Sequence, residues 1–207
     1  MAADDRTGLR ERKKRETRLA LSHAAIRLCV EHGWPNVSVE DVAAAADVSV
    51  RTFRNYFSGK AEAIAAGHLD RALRIADELR ARPAEEPLWQ ALATSVRAQY
   101  DVGGDTAEVS ERDQRWLDGL RLVLAEPAVR AEVLRADAVA QDELAEAIAE
   151  RTGTDVAHDV YPRLVAAVAG AGSAVAVGQW LRDDPSGSVV PLLDKVFELI
   201  TAGLPTP

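Results

Sequence analysis

Arginine, asparagine and threonine side chains crowd one short stretch of the chain, where they could contact base edges and phosphates of DNA. The hydroxyl of Ser49 can cap a helix, and Phe53 and Phe57 follow with a spacing of four residues. On a helical wheel the two phenylalanines point one way, while Arg51 and Asn55 point nearly the opposite way. Buried rings would hold such a helix in place while its polar face meets DNA, so the pattern predicts a recognition helix.

A second short helix is predicted immediately before it. Ser38 followed three residues later by Asp41 is an N-cap pattern, and apolar residues then recur at helical spacing as far as Ala46. The linking turn has Asp47 where such turns often use glycine. Aspartate tolerates the left-handed region, and we expect a strain of about 1 kcal/mol. The two helices form a helix-turn-helix pattern, for which a generic helical hairpin with a charged outer face is the alternative.

A basic run precedes this motif. Residues 10–18 contain six basic and two acidic side chains, which is typical of a solvated helix face. In front of a helix-turn-helix, the same run can add phosphate or minor-groove contacts. It leads into an amphipathic helix that Gly33 should end, with Pro35 preventing its continuation. The inward face of that helix is predicted to hold Leu21, Ala24, Ala25, Leu28 and Cys29.

Charge is divided unevenly along the chain. Residues 1–60 contain 11 Lys/Arg and 8 Asp/Glu, a net charge of +3, while the whole chain carries −8 and the remainder therefore −11. An acidic protein is usually a poor candidate for nucleic acid, because neutralisation of phosphates dominates affinity. Here the basic part is the part that contains the motif, so the charge distribution is compatible with DNA binding by the amino-terminal part.

From about Arg10 to Gly67 the chain resembles the DNA-binding domain of the TetR/AcrR family of bacterial regulators. The resemblance covers the segments 31–34, 37–43, 48–53 and 56–60, in matching order and spacing. Two positions depart from the family pattern: Asp47 replaces the usual glycine, and Gly59 stands where a capping Ser, Asn or Asp is commoner. Neither departure removes the helix-turn-helix, since glycine caps acceptably and Ser58 is adjacent.

The resemblance implies roles for individual residues. Val50, Arg51 and Thr52 fall where the family reads bases, although Val50 could equally pack in the core. Tyr56 and Lys60 match positions that grip the phosphate backbone. The full set of candidate DNA contacts is Ser38, Ser49, Val50, Arg51, Thr52, Arg54, Asn55, Tyr56, Lys60, Arg10, Arg12, Lys13 and Lys14.

The rest of the chain reads as helices separated by proline and glycine, so the predicted fold is all-α. We expect a flexible tail at 1–8, a helix-turn-helix DNA-binding domain at 9–60 and a helical effector-binding and dimerisation domain at 61–207. The predicted helices of the latter begin near Lys60 and are then 88–100, 111–125, 126–151, one begun or kinked at Pro162, and 189–200, with a loop at 101–105 and Gly153 as a terminator.

An uncharged stretch of eighteen residues runs from Leu164 to Leu181. It is mostly Ala and Gly, which transfer weakly into lipid, so we favour a buried helix over a membrane span. Its small residues permit close helix packing, and the family usually dimerises through this region with the last helix. The candidate dimer contacts are Gly170, Ala171, Ala174, Gly178, Leu193 and Val196.

The carboxyl-terminal half is similar to family members related to the mycofactocin regulator, around residues 121–127 and 161–164. That resemblance implies an acyl-CoA-like or other amphipathic effector. Aromatic groups with one cation suit such a ligand, although ordinary packing explains each aromatic equally well. The candidate pocket residues are Trp89, Tyr100, Trp116, Leu120 and Arg121.

Enzyme chemistry finds little support. The four histidines show no HExxH spacing, and phosphate-loop and GxSxG motifs are missing from the sequence, so neither a metal nor a cofactor is expected. One cysteine excludes an internal disulfide, and the amino terminus has no apolar signal region, which favours the cytoplasm. We therefore expect a homodimeric repressor that binds a palindromic operator and is released by a small molecule, with a constitutive DNA-binding protein as the alternative.

Overall fold

The structure, a computed structural model, describes residues 2–100, 111–183 and 187–206, with side chains from residue 12 onward and, after the first gap, from residue 115. Every regular element in these residues is a helix. The α-helices are α1 (Ala2–His32), α2 (Val39–Ala45), α3 (Val50–Arg54), α4 (Lys60–Ala81), α5 (Leu88–Ala98), α6 (Glu111–Ala125), α7 (Pro127–Thr152), α8 (Val160–Asp183) and α9 (Val190–Thr201), with a 3₁₀ turn at Trp34–Asn36.

The first compact unit consists of Met1–His68 and Asp118–Ala136. Its core is built from the inner faces of α1, α2 and α3 and the start of α4, with Phe53 and Phe57 at its centre. Val123 of α6 and Val129 of α7 are also buried in this core. The corner between α6 and α7 thus completes the hydrophobic core of this unit, with residues from outside the segment 9–60.

The second unit consists of Leu69–Leu117 and Asp137–Pro207. Leu79, Leu92, Ile148 and Leu193 lie fully buried in its core, to which α4, α5, α7, α8 and α9 all contribute. Ion pairs join α4 to α7 at the surface of this unit, where the Arg80 guanidinium contacts the carboxylates of two glutamates on α7. These contacts belong to the second unit by itself.

The helix ends follow from local signals that the sequence displays. Gly33 ends α1 with φ 83°, and Gly153 follows α7 with φ 67°, both in the left-handed region that favours glycine. The predicted bounds of α6 are confirmed, and those of α4, α5, α7 and α9 hold to within two residues at their described ends. Helix α1 includes residues 2–8, whose predicted flexibility stays a prediction, and the predicted loop at 101–105 lies outside the described residues.

Helix α8 is long and apolar enough to cross a membrane when judged by length and composition alone, with a mean hydropathy of 1.6 over its most apolar window. Core helices of soluble proteins pass the same test. Val165, Ala166, Ala169 and Ala176 of α8 are buried in the second unit's core, whereas other apolar side chains of the helix face outward.

Candidate nucleic-acid interface

A reciprocal cap begins the first helix of the motif. The Ser38 side chain accepts a hydrogen bond from the Asp41 backbone N–H, and the Asp41 carboxylate accepts from the Ser38 backbone N–H at 2.8 Å. The Ser38 hydroxyl donates to the same carboxylate at 2.6 Å. These bonds to Ser38 lower the pKa of Asp41. The predicted N-cap is therefore a complete capping box, which fixes where α2 starts.

The turn between α2 and α3 is held by two backbone hydrogen bonds. Asp47 N–H donates to the Ala44 carbonyl at 3.1 Å, and Val48 N–H donates to the Ala43 carbonyl at 3.0 Å. This is a Schellman arrangement, whose left-handed position is most often glycine. Asp47 occupies that position with φ 53°, which confirms the left-handed conformation expected for it.

The predicted recognition helix, α3, is capped at one end and anchored by an aromatic face. The Ser49 side chain accepts from the Thr52 N–H at 3.0 Å, and the two hydroxyls lie 2.8 Å apart. Phe53 and Phe57 are buried with ring centroids 5.7 Å apart. Regular helix ends at Arg54, and the Phe57 N–H still bonds to the Phe53 carbonyl at 3.0 Å, so both rings keep helical spacing.

The opposite face of α3 carries the polar groups. Arg51, Arg54 and Asn55 are exposed, while Val50 and Thr52 are half-buried. Val50 packs against the core of the first unit, which supports its alternative assignment as a packing residue. The face open to a ligand therefore consists of two guanidinium groups and a carboxamide, which donate to guanine, adenine and phosphate acceptors.

Two of the predicted phosphate contacts, Tyr56 through its ring and Lys60 through its ammonium, interact with other groups of the first unit. Tyr56 is half-buried against the core, its ring centroid 6.4 Å from that of Phe57. The Lys60 ammonium donates to the backbone carbonyls of Trp34 and Val37, the latter at 2.6 Å, and lies 4.1 Å from the centroid of the Trp34 ring. No spacing pattern in the sequence predicts these interactions of Lys60 with Trp34 and Val37.

The basic run lies on α1. Arg12, Lys13 and Lys14 are exposed, and Arg12 lies 3.7 Å from Glu16 in an exposed ion pair. The side chain of Arg10 lies outside the described residues. Arg18, which was not among the predicted contacts, lies with its guanidinium carbon 5.5 Å from the Phe57 ring centroid and so contacts the aromatic anchor of α3.

The predicted effector-pocket residues are distributed over the two units. Trp89 and Tyr100 pack on the core of the second unit, and Trp116 of the same unit is exposed. Leu120 and Arg121 belong to the first unit, where Arg121 pairs with Asp118 at 2.8 Å. Trp89 instead lines an open groove of about 340 Å³ in the second unit, formed with Gln90, Ala93, Arg97, Asp194, Phe197, Glu198 and Thr201.

The predicted dimer residues divide into outward and inward groups. Ala171 and Ala174 of α8 are exposed, and Gly178 is half-buried. Leu193 is only 1% exposed because it lies in the core of its own chain, and Val196 packs on that core, so these two residues stabilise the second unit itself. Gly170 is half-buried, and a side chain there would meet Gln141 of α7.

Among the described residues, no group of three or more His, Cys, Asp or Glu side chains could hold a metal ion. Asp155 and His158 form an exposed pair at 2.7 Å, and the bond from His158 is the main cause that lowers the pKa of Asp155. Cys29 is 1% exposed, and burial raises the pKa of its thiol, as expected of a small core residue.

Two family models match the chain. Residues 21–66 match the model described as "Bacterial regulatory proteins, tetR family", and residues 86–205 match the model described as "MftR C-terminal domain". The chain belongs to the TetR family. Helix α3 is thus the second helix of the helix-turn-helix in a TetR DNA-binding domain, and the predicted resemblance is confirmed for both halves.

Similar proteins agree with this assignment. The HTH-type transcriptional regulator TcmR of Streptomyces glaucescens is 34% identical over 186 residues, which cover 86% of this chain and 79% of TcmR. The transcriptional regulator MftR of Mycobacterium tuberculosis (strain ATCC 25618 / H37Rv) is 28% identical over 197 residues, or 93% of each chain. This TetR-family chain is a DNA-binding transcriptional regulator and not an enzyme.

A solved structure shows the same fold. The fatty acid degradation regulator FadR from Bacillus halodurans superposes with a TM-score of 0.56, at 18% identity, over 92% of this chain and 97% of that one. The predicted all-α class, with a helix-turn-helix domain followed by a helical domain, is confirmed.

Proposed function

We propose that this TetR-family regulator is a cytoplasmic homodimeric repressor that binds a palindromic operator in the major groove. The observation that carries the proposal is the two-sided segment formed by α3 and the turn that follows it, with Phe53 and Phe57 buried and Arg51, Arg54 and Asn55 exposed. A bidentate arginine discriminates guanine, and asparagine discriminates adenine, through their major-groove edges. One short helix presents both chemistries on a face that its own core leaves open.

Phosphate contacts would fix the register of that helix on DNA. We assign them to the exposed hydroxyls of Ser38 and Ser49, the phenol of Tyr56 and the basic side chains of α1. Arg12, Lys13 and Lys14 supply a cluster of exposed positive charge that a polyanion attracts. The capping bonds of Ser38 and Ser49 hold both hydroxyls at the starts of α2 and α3.

The exposed face of α8 supports dimer formation. Leu164 and Val175 are 56% and 60% exposed, and Ala171 lies between them on the same side of the helix, since seven and eleven residues are near-integral numbers of turns. A twofold dimer presents two copies of α3, and half-sites about 34–36 Å apart then read a palindrome. Leu164→Glu should convert the dimer to monomer in sedimentation, whereas Glu85→Gln, in the exposed segment between α4 and α5, should leave it dimeric.

We propose an amphipathic small molecule, such as an acyl-CoA-like compound, as the effector that releases the operator. The support is the match of residues 86–205 to the MftR C-terminal model. To shift the ratio of released to DNA-binding conformation from 1:99 to 99:1, the effector must bind the released conformation more tightly than the DNA-binding one by about 5.5 kcal/mol. A constitutive DNA-binding protein is the alternative, and it predicts that no small molecule releases the duplex.

The experiment selects a duplex from a random-sequence library with the wild-type protein and measures its affinity against a scrambled duplex at several salt concentrations. A palindromic selected sequence bound by a dimer, with salt-dependent affinity, supports the proposal. Equal affinity for selected and scrambled duplexes would refute it. Acyl-CoAs of increasing chain length, added to the bound complex, then separate the effector-released repressor from the constitutive protein.

A further inference from the structure

Lys60, the first residue of α4, is surrounded by groups of its own unit. Its ammonium donates to the carbonyls of Trp34 and Val37 and lies 4.1 Å from the centroid of the Trp34 ring. The residue is half-buried. An ammonium has three donors, and two of them are used by carbonyl groups more than twenty residues away in sequence. Its charge is therefore directed towards the chain rather than towards solvent.

The two carbonyls belong to the segment that connects α1 to the helix-turn-helix. Trp34 opens the 3₁₀ turn at Trp34–Asn36, and Val37 immediately precedes Ser38, the cap of α2. Neither carbonyl lies inside an α-helix, so each needs a partner from outside the segment. The ammonium donates a hydrogen bond to each of the two carbonyls and makes a cation–π contact with the indole. Two backbone carbonyls and one ring of the segment are therefore linked to the start of α4.

We propose that Lys60 is a positioning residue that clasps the Trp34–Val37 segment and thereby sets the start of α2, in place of the phosphate contact that the family resemblance implies. The clasp places the Ser38 capping box, and through it the Schellman turn and α3, at a defined position relative to the first turn of α4. All of these groups lie in the first unit.

The test compares Lys60→Met, which keeps the length and the apolar stem of the side chain, with Lys60→Arg, which retains donors for the carbonyls. Lys195→Met is the control, because Lys195 is exposed and belongs to the second unit. Each full-length variant is titrated with the duplex selected by the wild type and with a scrambled duplex over a range of salt. Cys29 provides a measurement without DNA, since it is the single cysteine and is buried in the same unit.

A clasp predicts that Lys60→Met loses at least tenfold in the preference for the selected over the scrambled duplex, with the salt slope unchanged. Cys29 should also react faster with a thiol reagent, while Lys60→Arg restores most of both properties. A phosphate contact instead predicts a salt slope smaller by about 0.9 for each protomer bound, an unchanged duplex preference and unchanged Cys29 labelling. That result would overturn the proposal.

Faster Cys29 labelling with an unchanged duplex preference would also overturn it, because Lys60 would then stabilise the unit without positioning α2. Should Lys60→Met fail to fold, Trp34→Leu tests the same clasp with Lys60 in place. It should lower the duplex preference and accelerate labelling, again at constant salt slope, and an unchanged preference would count against the clasp. The proposal rests on the proposed operator binding. The Cys29 measurement needs no DNA, so it can contradict the clasp even where operator binding holds, and can support it even where operator binding does not.

Discussion

Replacing Gly119 by alanine should destabilise the DNA-binding unit, although alanine normally strengthens a helix. A Cβ at Gly119 would lie 2.8 Å from Cγ1 of Val30 and 2.9 Å from its carbonyl oxygen. The side-chain methyl can rotate away, but the carbonyl belongs to the backbone of α1 and cannot. The close approach of α6 to α1 therefore requires a residue without a side chain at this position.

The sign of the effect depends on two opposed free-energy contributions. Alanine is favoured over glycine inside a helix by about 0.8–1 kcal/mol. Overpacking against a fixed neighbour costs about 1–3 kcal/mol. Because one of the two close contacts is to backbone that cannot move aside, we place the cost of overpacking in the upper part of this range, at about 2–3 kcal/mol, which exceeds the gain in helix propensity. We therefore expect a net loss of about 1–2 kcal/mol, which changes the population of the opened unit by a factor of about 5–30.

Labelling of Cys29 measures this loss in the unit concerned. The thiol is 1% exposed and shares the first unit with Gly119 and Val30, so a reagent reaches it when that unit opens. Under conditions where closing is faster than the chemical step, Gly119→Ala should label about 5–30 times faster than the wild type. Gly178→Ala is the matched control, since its Cβ would meet only the flexible end of Arg182 at 3.5 Å, in the other unit. Labelling of Gly119→Ala at or below the wild-type rate would refute the reasoning.

Three further predictions concern the helix-turn-helix. Because φ is positive at residue 47, Asp47→Ala should be less stable than Asp47→Gly by about 1 kcal/mol and should label at Cys29 about five times faster. Equal labelling rates would contradict a left-handed turn. The lowered pKa of Asp41 means that its carboxylate stabilises the unit above about pH 3.9 and that this contribution is lost as the pH falls through the folded pKa. Asp41→Asn should flatten this part of the stability–pH curve, and an unchanged curve would exclude the capping box as its cause. Arg51→Ala should relax the base preference at one operator position by about 1–3 kcal/mol, as measured by selection of bound sequences, while Arg27→Ala on α1 should leave it unchanged. A uniform loss of affinity over all sequences would instead assign Arg51 to a phosphate contact.

The elements most visible in the sequence are those stabilised by neighbours close along the chain. The capping box uses residues three apart, the aromatic anchor uses residues four apart, and Gly33 and Pro35 adjoin the helix end that they define. Each such signal involves a contact that the helix itself creates, so spacing alone reveals it. The family match then confirmed the fold, with its amino-terminal helix-turn-helix domain, that these signals had indicated.

Contacts between distant segments were not predictable in the same way. No spacing rule connects Lys60 to Trp34, or Gly119 to Val30, because each pair meets only after separate helices have packed. Leu193 also shows that the sequence alone does not determine which surface an apolar residue contacts. Its apolar character fits a dimer interface and a core equally well, and only the packing of α9 on α8 and α5 decides between them. Nor does an aromatic side chain in the sequence indicate which unit it joins, so the predicted pocket residues turn out to belong to both units.

Because of such distant contacts, the compact unit that contains the helix-turn-helix includes residues far along the chain. Val123 and Val129, from the corner between α6 and α7, are buried with Phe53 in one core, so the residues matched by the family's amino-terminal model do not close that core by themselves. A fragment ending at His68 would expose the apolar surface that this corner covers. We expect it to label at Cys29 far faster than the full chain and to lose sequence preference together with that protection. A fragment that kept slow labelling and full preference would show that the corner is dispensable, and the position of α3 would then depend on α1, α2 and α4 alone.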